Sequence, residues 1–533
     1  MRKDKIMNQD ITIINIEKIT EAVNNLCKQA NIYIPKDVYA ALYDSYLKEK
    51  SSRARNVLWQ ILENIKLASK SGRPICQDTG VVVVFAEIGQ NTFIDGLSLE
   101  DALNNGVEQA YREQFFRKSI VKDPIFDRIN TGTNTPAVIH VKVVPGNSIK
   151  LTVAIKGCGS ENMSAARMLK PSAGVQGIID FVIETVKHAG ANPCPPVRLG
   201  IGVGGTMEYS ALLSKKALLE PIKSESVLQQ MCYASIQASK PLNTKFNESI
   251  PSTITTDSIN TEIEMWQPGA LTDKVTKLEL EILKKVNSLG IGASGLGGNT
   301  TVFGVNILYT PTHIAALPVA VNINCHASRH ASAVIKGEEI KYNFNNYQYE
   351  FAEFDMSENF DVSLNTSEID KIRKLKVGQK VLLSGYIYTA RDAAHKKLME
   401  CINMGEDLPF DIKDKIIYYV GPCPSKPGEV IGPAGPTTSG RMDKYAPVLF
   451  ERDLLGTIGK GERSQKVIDS IKENKSIYFA ATGGAACFLQ QRISEAEIIA
   501  YPELGPEAIF KLKIKDFPVI VAIDSNGNSI FVN

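Results

Sequence analysis

The chain has 533 residues, too many for one ordinary core, and its 44% hydrophobic and 22% charged residues are usual for soluble globular protein. A formal net charge of +2 supplies no global field for nucleic acid or an anionic membrane surface. No apolar run reaches the roughly 18 residues of a spanning helix, and the N-terminal MRKDKIMNQD lacks a signal peptide's apolar stretch, so no membrane association and a cytoplasmic location are expected.

Apolar residues recur at helical spacing over 14–32, 38–47 and 57–68, which predicts three helices. After a loop at 71–80, the β-branched run 81–88 reads as a buried strand. Helical period returns over 98–117, with Ser98 as its N-cap. Runs 138–144 and 149–155 alternate around Pro145-Gly146-Asn147 and predict a hairpin. Residues 172–188 read as a helix and 197–203 as another buried strand. Ser, Thr, Asn and Pro dominate 240–268, the mark of a surface loop or insertion. A helix at 273–289 and strands near 301–309 and 317–324 follow. A polar stretch then spans 340–370, and beyond it short strands at 380–388, 416–420, 477–481 and 519–523 alternate with helical segments. The expected fold class is α/β with two domains. A larger mixed domain covers 1–339 with an insertion near 235–268, a linker covers 340–370, and a smaller domain covers 371–533.

Nine cysteines, odd in number and widely scattered, argue for reduced thiols in a reducing compartment. Three sit in loops where proline and glycine set the backbone direction without crowding the thiol. Cys76 lies in Gly72-Arg73-Pro74-Ile75-Cys76-Gln77-Asp78-Thr79-Gly80, Cys194 in Asn192-Pro193-Cys194-Pro195-Pro196, and Cys325 begins Cys325-His326-Ala327-Ser328-Arg329-His330. More than a hundred residues separate each from the next, far beyond a zinc or ferredoxin ladder. Spacing alone therefore leaves both separate packing roles and a shared metal site open. Cys423, in Gly421-Pro422-Cys423-Pro424, is a rival that reads as structural. Gly200-Ile201-Gly202-Val203-Gly204-Gly205 satisfies a dinucleotide-binding pattern, but a lone match is weak. Taken singly, Arg117 is a solvated helix-end cation, His313 a structural histidine, Thr437 a turn residue and Arg391-Asp392 a surface pair.

The three cysteine loops resemble those of class I, iron–sulfur-dependent fumarate hydratases and tartrate dehydratases. The likeness extends through 132–137 (GTNTPA), 156–162 (KGCGSEN) and 295–300 (GLGGNT). Residues 389–395 (TARDAAH), 435–443 (GPTTSGRMD), 459–464 (GKGERS) and 482–485 (TGGA) resemble the family's β part, here fused to its α part. Together these motifs cover about residues 15–533 apart from the insertion.

The resemblance implies an iron–sulfur hydro-lyase with a swivelling, aconitase-like C-terminal domain, a homodimer acting on a small dicarboxylate. It implies one [4Fe–4S] cluster per chain held by Cys76, Cys194 and Cys325, with an open iron that acts as a Lewis acid. Thr437 is then the proton-abstracting hydroxyl, Asp78 its carboxylate relay, and His313 a further catalytic group. Gln77, Arg117, Arg391, Arg441, Lys460 and the loop at Cys158 would hold the substrate, and Arg117 could enter the neighbouring chain's site. Cys158 stands where the family usually has glycine, which is uncomfortable if that position needs φ > 0. The implied reaction is reversible hydration of fumarate to L-malate. L-tartrate and mesaconate are the other substrates, and a non-catalytic iron–sulfur sensor or regulator is the reading of another class.

Overall fold

A computed structural model describes residues 11–96, 98–223, 269–344, 350–354 and 360–531, without the side chains of 269–272. The expected insertion near 235–268 lies outside the described residues. Strand β1 (Thr12–Asn15) leads into helix α1 (Ile16–Ile32), then α2 (Lys36–Lys48) and α3 (Ser52–Ser71). The side chains of Asn15 and Ser51 accept from first-turn N–H groups of α1 and α3, and Gly72 ends α3 at a left-handed φ of 61°.

The buried run 81–88 becomes β2 (Val81–Gly89), an interior strand of a mixed sheet. Strand β3 (Thr92–Asp95) pairs with β1, and α4 (Leu99–Glu113) starts at Ser98, whose hydroxyl accepts from the Asp101 N–H. The next strands are β4 (Val138–Val144) and β5 (Ile149–Lys156). These do not form the expected hairpin: β2 lies between them, parallel to β4 and antiparallel to β5. Residues 145–148 cross the end of β2, where a Cβ on Gly89 would strike the backbone of Gly146. The apolar β2 takes the interior place, and its burial outweighs the local turn signal. Strands β10 (Arg329–Lys336) and β11 (Glu339–Tyr342) complete the order β11–β10–β5–β2–β4, with α1 and α4 covering one face.

A four-stranded sheet follows, from β6 (Ala165–Leu169), β7 (Val197–Gly205), β8 (Val302–Thr312) and β9 (Leu317–Asn324), in the order β6–β9–β7–β8. Helices α6 (Gly174–Ala189) and α8 (Gly269–Asn287) share a core with Leu199 and Ile201 of β7. The opposite face of β7 meets α7 (Met207–Ala217), and there a Cβ on Gly200 or Gly202 would collide with the backbone of that helix. The G-x-G-x-x-G glycines thus serve close strand–helix packing inside a strand. The short helix α5 (Cys158–Glu161) links β5 to β6.

The second half contains β12 (Val362–Asn365), α9 (Ile369–Arg373), β13 (Lys380–Thr389), α10 (Asp392–Met404) and β14 (Ile416–Tyr418). It continues with α11 (Ala446–Phe450), β15 (Gly456–Gly459), α12 (Gln465–Asn474), β16 (Ile477–Ala480), α13 (Ala486–Gln490), β17 (Ile493–Ala500) and β18 (Ile509–Ile523). Strands β13, β14, β15, β16 and β18 each pair with two others in the set, so their ladder closes on itself.

The two halves share packing. Val57, Ile61 and Ile65 of α3 belong to one core with Ala390, Leu398, Tyr419, Phe450 and Ala522. Described residues of the polar 340–370 stretch pack on both halves: Phe354 lies edge-on to Tyr46, Lys66 pairs with Glu353 at 3.0 Å, and β12 joins β13. The architecture is mixed α/β.

Candidate active site

Each of the three loop cysteines is placed by its neighbours. The Cys76 loop follows Gly72 and is gripped by Asn64 of α3, whose amide donates to Ile75 O at 2.9 Å and to Gly484 O at 3.1 Å. The same side chain accepts from the Cys487 and Phe488 N–H groups, so one buried amide binds the first cysteine loop to the 482–485 loop. Cys194 sits at φ 59° in the turn after α6, and Cys325 follows directly on β9. His326 ties these two together, its Nδ1–H donating to Cys194 O at 3.2 Å. Burial lowers His326 to about 4, so its ring is neutral.

Cys76, Cys194 and Cys325 line one cavity of about 1490 Å³ together with Gln77, Asp78, Arg117, Cys158, Arg391, Thr437, Arg441 and Lys460. Burial pushes all three thiols up, and each is raised further by another of the set: Cys76 by Cys325, Cys194 by Cys76, and Cys325 by Cys194. They therefore stand within electrostatic reach of one another. Two cations, half-buried Lys460 and buried Arg329, oppose the shift. Lys460 donates to Cys194 Sγ at 2.6 Å and to Asn192 O at 3.1 Å, while Arg329 lowers Cys76 and Cys325. Among the described residues, no group of three or more His, Cys, Asp or Glu is placed to hold a single metal ion.

Burial would raise the Asp78 carboxyl, but Arg117, Arg329 and the N–H groups of Cys158 and Gly80 hold it below the usual carboxylate range. Arg117 lies 3.3 Å from Asp78 Oδ1 and also donates to Gly421 O at 3.1 Å, so it lines the cavity of its own chain. The Cys158 N–H donates to Asp78 Oδ2 at 2.9 Å, and the loop thus spends this donor inside the protein. Cys158 opens α5 without a positive φ, which removes the conformational objection to a cysteine there; its side chain is exposed. Below it, buried Lys156 donates to Ile323 O and to Ser160 Oγ at 3.4 Å, joining this loop to the strand that ends at Cys325.

The second half supplies the facing wall. Gln77 is buried, donates to Pro436 O at 3.3 Å, and so holds the residue next to Thr437. Thr437 lines the cavity, and among the described residues no hydrogen bond joins it to the Asp78 carboxylate. Arg391 pairs with Glu507 at 2.9 Å, and Arg441 binds both oxygens of Asp392. Cys423 is buried outside the cavity lining and donates to Gln77 O at 3.4 Å, which fits a structural thiol.

His313 is the predicted residue the fold keeps apart. It is exposed in the turn between β8 and β9, and β9 runs away from it for eight residues before reaching Cys325. That strand alone spans more than about 20 Å. Sequence reasoning passed over Asn64, Lys156, His326, Arg329 and Glu507. His326 and Arg329 stood inside the Cys325 motif, and their nearness to a loop cysteine was the available signal.

The family described as Fumarate hydratase (Fumerase) matches residues 20–334, and that described as Fumarase C-terminus matches residues 335–533. The chain is 33% identical to the Escherichia coli (strain K12) protein named Fumarate hydratase class I, anaerobic, over 93% of this chain and 85% of that one. It is 30% identical to Fumarate hydratase 2 of Leishmania major, over 91% and 81% respectively. A protein provisionally named L(+)-tartrate dehydratase subunit alpha, from Methanocaldococcus jannaschii, is 37% identical over 60% of this chain and 98% of its own length. Matched in both halves and along nearly its whole length, the chain belongs to the class I fumarate hydratase family.

Proposed function

We propose that the chain is a hydro-lyase that interconverts fumarate and L-malate. The observation that carries this is the convergence of three thiols, a threonine hydroxyl and several cations, drawn from both halves, on one cavity. A dicarboxylate needs cations for its two ends, and proton transfer at its carbon needs a positioned hydroxyl or base. Relatives that match 93% and 91% of this chain are named fumarate hydratases, whereas the tartrate relative matches 60% of it. Fumarate is therefore favoured over tartrate and mesaconate.

The same reading gives the cavity one [4Fe–4S] cluster, with Cys76, Cys194 and Cys325 as its ligands. Three thiols near Lys460 and buried Arg329 suit an anionic thiolate group, and a four-iron cube spreads its ligands over separate irons, unlike a mononuclear site. When bound, the cluster supplies a Lewis acid for the departing hydroxide. Thr437 moves the proton, and any relay from Asp78 runs through substrate or water, because the carboxylate is already held by Arg117 and Cys158. Arg391, Arg441 and Lys460 bind the carboxylates, and Gln77 orients the Thr437 loop.

The proposal includes two domains, 1–339 and 371–533, and a homodimer. Exposed Val141 and Val143, on one face of edge strand β4, leave an apolar patch, and His313 can serve a cavity if a second chain supplies it. Cytoplasmic residence completes it, in keeping with eight described cysteines that are all free. No helix among the described residues is long and apolar enough to cross a membrane.

Anaerobic reconstitution followed by hydration assays on fumarate, mesaconate and the tartrates tests this reading. Wild-type protein should bind about four irons and act best on fumarate. Cys76→Ser, Cys194→Ser and Cys325→Ser should lose the iron, and Cys423→Ser should keep it. Full iron content in any of the first three, or a loaded protein inert towards all these acids, overturns it.

A further inference from the structure

Arg391 cannot hold its place by its own chemistry. Its side chain is 13% exposed, and burial together with neighbouring Arg117 and Arg441 depresses it to about 10. An arginine in that setting is driven to turn away from its like-charged neighbours. Glu507 opposes this. One of its oxygens lies 2.9 Å from Arg391 Nη2, and the other accepts the Ala393 N–H at 3.0 Å in the first turn of α10. A single carboxylate thereby bridges the guanidinium to the helix that carries it.

The surroundings make an alternating array. Asp392 lies 3.8 Å from Arg391 Nε and grips Arg441 with both oxygens, so the cavity wall runs Glu507, Arg391, Asp392, Arg441. Glu507 ends the short 3-10 turn Pro502–Glu507, which lines the cavity between β17 and β18 and is tied to α10 again by Glu503 and Lys397. None of the motifs quoted from the sequence contains it. Arg391 still lines the cavity, and its buried Nε has no hydrogen-bond partner among the described residues, so donor capacity remains for a ligand carboxylate.

We propose that Glu507 is a positioning residue that orients Arg391 to receive one carboxylate of the dicarboxylate substrate. This rests on the hydro-lyase reading above. A free arginine loses rotamer freedom when it binds, and Glu507 imposes that ordering in advance. The test uses cluster-loaded enzyme. Glu507→Gln keeps the size and an acceptor for Ala393 but removes the charge. It should raise KM for fumarate by about 10-fold or more while kcat stays within about 3-fold and iron content is unchanged.

Inhibition by succinate and by propionate gives a second readout, since the dicarboxylate's advantage over the monocarboxylate measures the second carboxylate site. That advantage should shrink in Glu507→Gln and shrink partly in Glu507→Asp, which keeps the charge and loses reach. Unchanged KM and an unchanged succinate-to-propionate ratio in both variants overturn the inference. A lower KM also overturns it, because Glu507 would then compete with substrate. A wild-type enzyme that binds succinate and propionate alike instead overturns the dicarboxylate reading itself.

Discussion

Thr437 is held at both ends by backbone, its N–H donating to Tyr419 O at 2.7 Å and its carbonyl accepting the Lys460 N–H at 3.2 Å. Thr437→Ala should keep that frame and lose the hydroxyl alone. Steady-state kinetics should show kcat lower by about 10²–10⁴ with KM little changed; near-normal kcat would move the base elsewhere. Lys156 tests the loop beneath the cavity. Burial lowers it from 10.5 to about 8, with Glu161 offsetting part of the cost. Between those values the unfolded chain binds more protons than the folded one, so stability rises with pH. Relative to Lys156→Met, wild type should gain up to ~3 kcal/mol on going from about pH 8 to 10.5, read by denaturant melts at each pH. A flat difference would mean that the ammonium is as well solvated folded as unfolded. Which cysteines, arginines and threonine line the cavity was legible through motifs. What holds them was not, because Asn64, His326 and Glu507 act through contacts with residues more than a hundred positions away.

At the scale of elements, the glycines of β7 show how a pattern can be read correctly and assigned to the wrong use. Gly202 faces the backbone of α7, where a Cβ has no room. Gly202→Ala should cost roughly 1–3 kcal/mol through overpacking, visible as a lower Tm; an unchanged Tm would mean that α7 can move outward at little cost. Helices α1, α3 and α4 were legible from apolar period, and α4 also from its cap residue Ser98. The β4–β5 hairpin failed for a physical reason. Alternation records that a segment is a strand, while β2 arrives from sixty residues earlier to pair with both. The long β18 was expected at its C-terminal end, where the apolar run is continuous. Its first half alternates with lysines and depends on β17 and β13 for its form.

For the whole molecule, assembly is the open quantity. Exposed valines on β4 and the distant His313 both point to a second chain, so loaded enzyme should sediment at about twice 58.4 kDa. A fully active monomer would refute this. A change of pattern between the residues on either side of 340 is legible in the sequence. Their shared core is not, because the α3 residues that pack on the second half look like any buried helical stripe. The closed ladder of β13, β14, β15, β16 and β18 carries a consequence in time. Leu383 must wait for Phe517 before the ring is complete, since β18 is synthesised more than a hundred residues after β13. Until then β13 presents an unpaired edge, the kind that recruits another chain. Contacts of such sequence separation also slow folding. A ribosome that pauses late therefore leaves an open sheet exposed, and crowding of nascent chains becomes the hazard for this protein.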